Sequence, residues 1–176
     1  SYTIIKIWQV EVLVQIMRYI NILILLVLPV WVADSTGLLV VAPNVQVKGV
    51  DVSRHQKLIE WDTVAAHEPV QFAFVKATEG GDYRDSLFCY NWESLDRLNI
   101  RRGAYHFFRG YGCGVEQATH FLSTVDMKPG DLPPVLDIET LDNTPPEQVV
   151  EEAKIWLAVM EQALGIKPII YTNQHF

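Results

Sequence analysis

The chain is 176 residues long, enough for one domain with a sizeable core. Hydrophobic residues make up 49% and charged residues 20%, the balance of a folded domain inflated by an apolar N-terminus. A formal charge of −7 disfavours a nucleic-acid partner, because nothing would neutralise phosphates, and two cysteines are too few for a disulfide framework.

Residues 1–33 differ from the rest. Lys6 and Arg18 precede an uncharged apolar run from Ile20 to Ala33, and Asp34 follows it. A positive flank, an apolar helix and a polar exit read as a signal peptide or membrane anchor, with membrane contact through residues 16–33. Trp31-Val32-Ala33 is a poor cleavage site, which keeps the anchor open beside the removable signal. A buried core helix is the remaining reading. A signal or an anchor would leave the rest of the chain secreted or held at the cell envelope. The first residue is Ser1 rather than Met, which suggests a processed or partial sequence. Residues 34–47 show no periodicity and read as a linker.

A repeating unit begins at Lys48. Gly49–Ser53 is predicted as a strand, and Ile59–His67 as a helix with Asp62 as its N-cap. Gln71–Ala77 is the second strand. Asp85–Asn99 is a helix with Leu87, Tyr90, Asn91, Leu95 and Leu98 on one stripe, and Gly103–Phe108 is the third strand. Val115, Ala118, Phe121, Leu122 and Val125 recur at helical steps. Leu132–Glu139 is the fourth strand. Thr144 to Glu147 forms a predicted capping box with proline in the first turn. It opens a helix carrying Val149, Ala153, Trp156, Leu157, Met160 and Leu164 that Gly165 stops. Lys167–Thr172 is the fifth strand. Strands alternating with helices in this way predict a parallel α/β sheet with right-handed crossovers.

Polar and ionisable residues gather at the strand ends: Asp51 and Ser53, Lys76 and Glu79, Tyr105 and His106, Asp137 and Glu139, Tyr171 and Asn173. In a (β/α) barrel that C-terminal rim carries the active site. Alternation puts Asp137 and Glu139 on one face, roughly 6–7 Å apart. Two like charges that close push one group towards carrying a proton, and an acid beside a base is what glycosidic cleavage needs. An acidic protein is compatible with a glycan substrate without selecting one.

Several ordered segments now match a known pattern. They are Gly49-Val50-Asp51-Val52-Ser53 with Gln56, and Phe74 to Gly80 with Tyr83 and Asp85. Arg102 to Phe108, Pro134 to Glu139, and Pro168 to Asn173 follow. In order and spacing, residues 48–176 resemble glycoside hydrolase family 25, the Chalaropsis-type lysozymes that cut peptidoglycan between N-acetylmuramic acid and N-acetylglucosamine. The resemblance implies a TIM-like (β/α) barrel and a 1,4-beta-N-acetylmuramidase whose partner is the peptidoglycan glycan strand. It implies Glu139 as general acid, Asp137 as its partner at the oxocarbenium ion or the acetamido group, and Asp51 as third carboxylate. Tyr105, Lys76, Glu79 and Tyr171, with Asn173, would line the sugar groove. It implies no cofactor and no metal.

Lys57 and Pro69 depart slightly from the family pattern. The larger departure is that the family barrel has eight strands, with a further aspartate on the last, whereas only the first five are recognised here. Little or no activity is therefore expected of the 176-residue chain alone.

Each residue also has a plainer reading. Lys76 and Glu79 could simply neutralise each other, and Asp51 could accept loop amides. His106 beside the acidic pair invites a metal, but no ligand spacing supports one, and a satisfied rim histidine fits better. Trp61, Trp92 and Trp156 read as core, with sugar stacking an alternative for Trp61. Cys89 and Cys113 read as buried free thiols, a single bridge being the alternative. Other functions compatible with the chain are a non-catalytic wall-binding protein, a metal-dependent deacetylase on the same polymer, and an inactive remnant. Nothing in the sequence addresses the oligomeric state.

Overall fold

The computed structural model describes Ile7–Trp8, residues 47–68 and residues 70–173. The apolar run from Ile20 to Ala33 lies outside the described residues, and with it the expected signal, anchor and membrane contact. No helix among the described residues is long and apolar enough to cross a membrane.

Among the described residues seven strands form one sheet: β1 (Ile7–Trp8), β2 (Lys48–Val52), β3 (Val70–Glu79), β4 (Tyr83–Arg84), β5 (Arg101–Phe107), β6 (Val135–Ile138) and β7 (Ile169–Thr172). Strands β2, β3, β5, β6 and β7 lie side by side in chain order and pair in parallel. These are the five strands expected from the sequence. Parallel neighbours need a crossover, and four helices supply them: α1 (Trp61–His67), α2 (Phe88–Arg97), α3 (Gly114–Thr124) and α4 (Pro146–Leu164). The result is a curled parallel half-barrel. Two short antiparallel strands were not foreseen: β1 pairs along β2, and β4 folds back on the end of β3.

The core lies between the sheet and the helices. Ala73, Val75, Ala77, Ala104 and Leu136 are fully buried on the strands, facing Trp61, Phe88, Leu95, Phe121, Trp156 and Met160 from the helices. A parallel strand covered on both faces reads as a continuous apolar run, which is why β3 and β6 were legible. Each large side chain so buried contributes about 1.5–3 kcal/mol. Trp61 is only 1% exposed and donates from Nε1 to Asn91 Oδ1 at 2.9 Å, so it is core and cannot stack on a sugar. Trp92 and Trp156 are core as expected.

Several local expectations need correction. Asp62 is not an N-cap: Glu60 takes that place without a side-chain bond, and Asp62 sits in the first turn paired with Arg97 at 2.7 Å. The capping box at Thr144 does not form, because Pro145 occupies the N-cap of α4 and offers no side-chain acceptor. Val115 is exposed, and Gln117 is buried in its place. Cys89 and Cys113 are free but exposed rather than buried. Gly165 ends α4 in the left-handed region, φ 68°, as the sequence suggested.

At the N-terminal end of β5, Arg102 is 3% exposed. Its Nε donates to Asp131 at 2.9 Å, its Nη1 to the Trp92 carbonyl at 2.8 Å, and its guanidinium lies 4.1 Å from the Trp92 ring centroid. The buried charge is thereby fully engaged.

Candidate active site

The C-terminal ends of the parallel strands converge on one rim. Asp51 leaves β2 two residues before Ser53, which begins a short 3-10 turn, Arg54–Gln56. That turn is closed locally: Ser53 Oγ accepts from the His55 amide at 3.2 Å, and Gln56 Oε1 accepts from the Ser53 amide at 2.8 Å. Gln56, quoted above for its place in a motif, therefore shapes the exit of the strand that carries Asp51. Buried Asp85 ties the next crossover to the same turn by accepting from the Arg54 amide at 3.0 Å.

Asp137 on β6 is paired in register with Phe107 on one side and Tyr171 on the other, and it is 9% exposed. Glu139 follows directly after the strand ends and is half-buried. Two tyrosines record how closely the carboxylates gather. Burial raises the Tyr105 hydroxyl well above the ordinary phenol range, and the charges of Asp51, Asp137 and Asp85 add to that, against a hydrogen bond with Ser53. Tyr171 is likewise raised, first by burial and then by Glu139, Asp137 and Asp51, and its hydroxyl hydrogen-bonds Glu139. Asp51 from β2 and Asp137 from β6 thus act on both phenols, and Glu139, the residue after β6, acts on Tyr171. Asn173 follows β7 on this rim.

Lys76 and Glu79 do pair, at 2.6 Å between Nζ and Oε2, and Lys76 also lies 4.7 Å from the Phe107 ring centroid. Burial pushes the Glu79 carboxyl up, but hydrogen bonds from Lys76 and Arg109 outweigh it and hold the group below its usual range. Arg109, just past β5, was not singled out from the sequence. Its Nε donates to Glu79 Oε1 at 2.9 Å and its Nη1 to Asp142 Oδ1 at 3.1 Å.

His106 is not a rim residue. It is fully buried, stacked on Trp156 with ring centroids 5.7 Å apart. Its Nδ1 lies 2.7 Å from Thr78 Oγ1 and its Nε2 3.0 Å from Gln117 Oε1. Gln117 Oε1 also accepts from the Arg109 amide at 2.9 Å, so the ring donates from Nε2 and accepts from Thr78. Burial drives the imidazole down to about 4 against the pull of the Gln117 bond, which keeps it neutral. Among the described residues no group of three or more His, Cys, Asp or Glu is placed to hold a metal ion. An open cavity of about 820 Å³ borders Glu139, lined by Thr140 to Asn143 with Pro146 and Val150.

Carboxylates gathered in this way are suited to acid–base chemistry. Comparisons with known proteins agree with that chemistry. The sequence pattern of Glycosyl hydrolases family 25 matches residues 50–176. The chain is 40% identical over 134 residues to the uncharacterized protein YegX of Escherichia coli strain K12, covering 74% of this chain and 49% of that protein. It is 42% identical over 111 residues to Lysozyme M1 of Streptomyces globisporus, covering 61% and 34% respectively. A solved family 25 glycosyl hydrolase from Bacillus anthracis superposes with a TM-score of 0.69 at 37% identity, over 73% of this chain and 61% of that one. The chain spans about half the length of YegX, and less of Lysozyme M1. With a family pattern matched from the first parallel strand onward and the same half-barrel in a solved member, the chain belongs to Glycosyl hydrolases family 25.

Proposed function

We propose that the protein is a lysozyme, a 1,4-beta-N-acetylmuramidase that hydrolyses the glycan backbone of peptidoglycan outside the cytoplasm. The observation that carries this reading is that Asp51 and Asp137 both act on Tyr105 and Tyr171 at the strand ends, with Glu139, directly after β6, hydrogen-bonded to Tyr171. Glu139 is the general acid: half-buried at the groove edge, it is placed to give its proton to the leaving glycosidic oxygen. Asp137, nearly enclosed and fixed in the sheet register, stabilises the oxocarbenium-like sugar or orients its acetamido group. Asp51 completes the negative field from the first parallel strand. Tyr105, Lys76, Glu79, Tyr171 and Asn173 line the sugar groove. Acid–base chemistry of this kind needs no cofactor.

Product analysis tests the bond assignment. Purified peptidoglycan is digested with the protein as its gene encodes it, and the new reducing ends are reduced with borohydride. Muramitol is the expected product. Glucosaminitol would place the cut on the other glycosidic bond, and free acetate without new reducing ends would indicate deacetylation. Binding to insoluble wall with no product would mark a groove that holds glycan without turning it over.

A further inference from the structure

Glu139 stands outside the sheet, at the start of a loop that has to be held by something other than strand pairing. Two consecutive non-glycine residues of that loop, Asp142 and Asn143, adopt left-handed backbone with φ of 52° and 62°. Such conformations are uncommon for residues other than glycine, though Asp and Asn adopt them most readily, and they persist where surroundings impose them. Here the surroundings are specific. Asp142 Oδ2 accepts from the Gly110 amide at 3.0 Å, and Oδ1 accepts from Arg109 Nη1 at 3.1 Å. Within the loop, the Asp142 amide donates to Thr140 Oγ1 at 3.1 Å.

The loop after β5 is shaped to meet it. A Cβ at Gly110 would lie 2.4 Å from the Leu141 carbonyl oxygen, so only glycine lets the two backbones touch. A Cβ at Gly112 would lie 2.7 Å from Gln117 Nε2. Gln117, fully buried, grips both backbone groups of Arg109: its Oε1 accepts from the amide at 2.9 Å and its Nε2 donates to the carbonyl at 3.0 Å. His106 orients that amide from below. On its other side the Arg109 guanidinium is fixed by Glu79, itself held by Lys76.

We propose that Arg109 is a positioning residue for the general acid: anchored by Gln117 and Glu79, it clamps Asp142 and so fixes the loop whose first residue is Glu139. In this role Arg109 acts through Asp142 and the loop rather than on the substrate. It acts by keeping the proton donor aligned with the glycosidic oxygen, where a misplacement of about 1 Å costs on the order of a hundredfold in rate. This inference rests on the reading of Glu139 as the acid.

The test uses the protein as its gene encodes it, with kcat and KM measured on peptidoglycan and corrected for the folded fraction. Arg109→Met is expected to lower kcat by about 10- to 100-fold with KM unchanged, the size of effect usual for groups that orient catalytic ones. Asp142→Asn keeps the side chain's size and its tolerance of left-handed backbone. It should lower kcat in the same direction but less, while protection of the Gly110 amide from hydrogen exchange falls. If Arg109→Met fails to fold, Asp142→Asn and Arg109→Lys decide, since lysine keeps the charge but cannot bridge Glu79 and Asp142 together. Wild-type kcat in folded Arg109 and Asp142 variants, beside an inactive Glu139→Gln, overturns the clamp alone. Wild-type kcat in Glu139→Gln overturns the acid assignment on which the clamp depends.

Discussion

Strand β5 begins and ends near an arginine, and the two are used in opposite ways. Arg102, at the N-terminal end, has a side chain 4% exposed and is enclosed by Asp131, the Trp92 carbonyl and the Trp92 ring. Arg109, past the C-terminal end, is 31% exposed and shared between Glu79 at the end of β3 and Asp142 on the loop after β6. The first charge is sealed into the base of the half-barrel, where losing a partner strands the other one in a dry site. The second works at the wet rim, where each ion pair contributes less to stability but sets where side chains stand. Position along a barrel strand, more than residue type, decides whether an ion pair holds the fold or arranges the site.

That division can be broken by experiment. The largest stability effect is expected from Arg102→Met, which leaves Asp131 uncompensated and should cost about 3–5 kcal/mol in urea unfolding. Activity per folded molecule should stay at the wild-type level. A loss of kcat with stability intact would erase the contrast between base and rim.

Next comes pH. The folded His106 ring takes a proton only near pH 4, whereas in the unfolded chain it does so near 6.5. Between those values the unfolded state binds more protons, so the stabilisation is complete above about pH 6.5 and is lost as pH falls towards 4. At about 1.36 kcal/mol per unit the difference amounts to about 3 kcal/mol. Urea midpoints followed from pH 7.5 downward should fall more steeply for wild type than for His106→Gln. Parallel slopes would show that the buried ring titrates normally.

The Arg109→Met loss of kcat, about 10- to 100-fold, ranks third. The smallest effect is expected from Asp62→Ala. It breaks an exposed pair with Arg97, and calorimetry should detect no change in Tm. A clear drop in Tm would mean that surface pairs matter here more than their exposure allows.

Much of the scaffold could be read in advance because its signal is local. Gln71–Ala77 and Pro134–Ile138 are short apolar runs with little polar interruption, the mark of strands buried on both faces. The Asp137–x–Glu139 spacing is local too, although β6 ends at Ile138 and Glu139 stands just beyond it. Elements set by tertiary approach could not be read. Arg109 and Asp142 are 33 residues apart in sequence, and nothing near either names the other. The apolar steps of α3 misled at Val115 because that helix is turned by a neighbour. A Cβ at Gly114 would lie 2.1 Å from the Glu152 carbonyl oxygen on α4, so the two helices meet at that glycine and Gln117 faces inward. His106 looked like a rim residue by its place near a strand end, but β5 buries it among Phe108, Phe121 and Trp156. The two-residue strands β1 and β4 carry too little pattern to be seen at all.

The proton that breaks the glycosidic bond is assigned to Glu139. The decisive measurement is the rate at which the protein as its gene encodes it, and its Glu139→Gln variant, release reducing ends from purified peptidoglycan, both confirmed folded by circular dichroism. A fall of about 10²- to 10⁴-fold is expected for the glutamine variant, with Tm unchanged. A glutamine variant that releases reducing ends at the wild-type rate would contradict it.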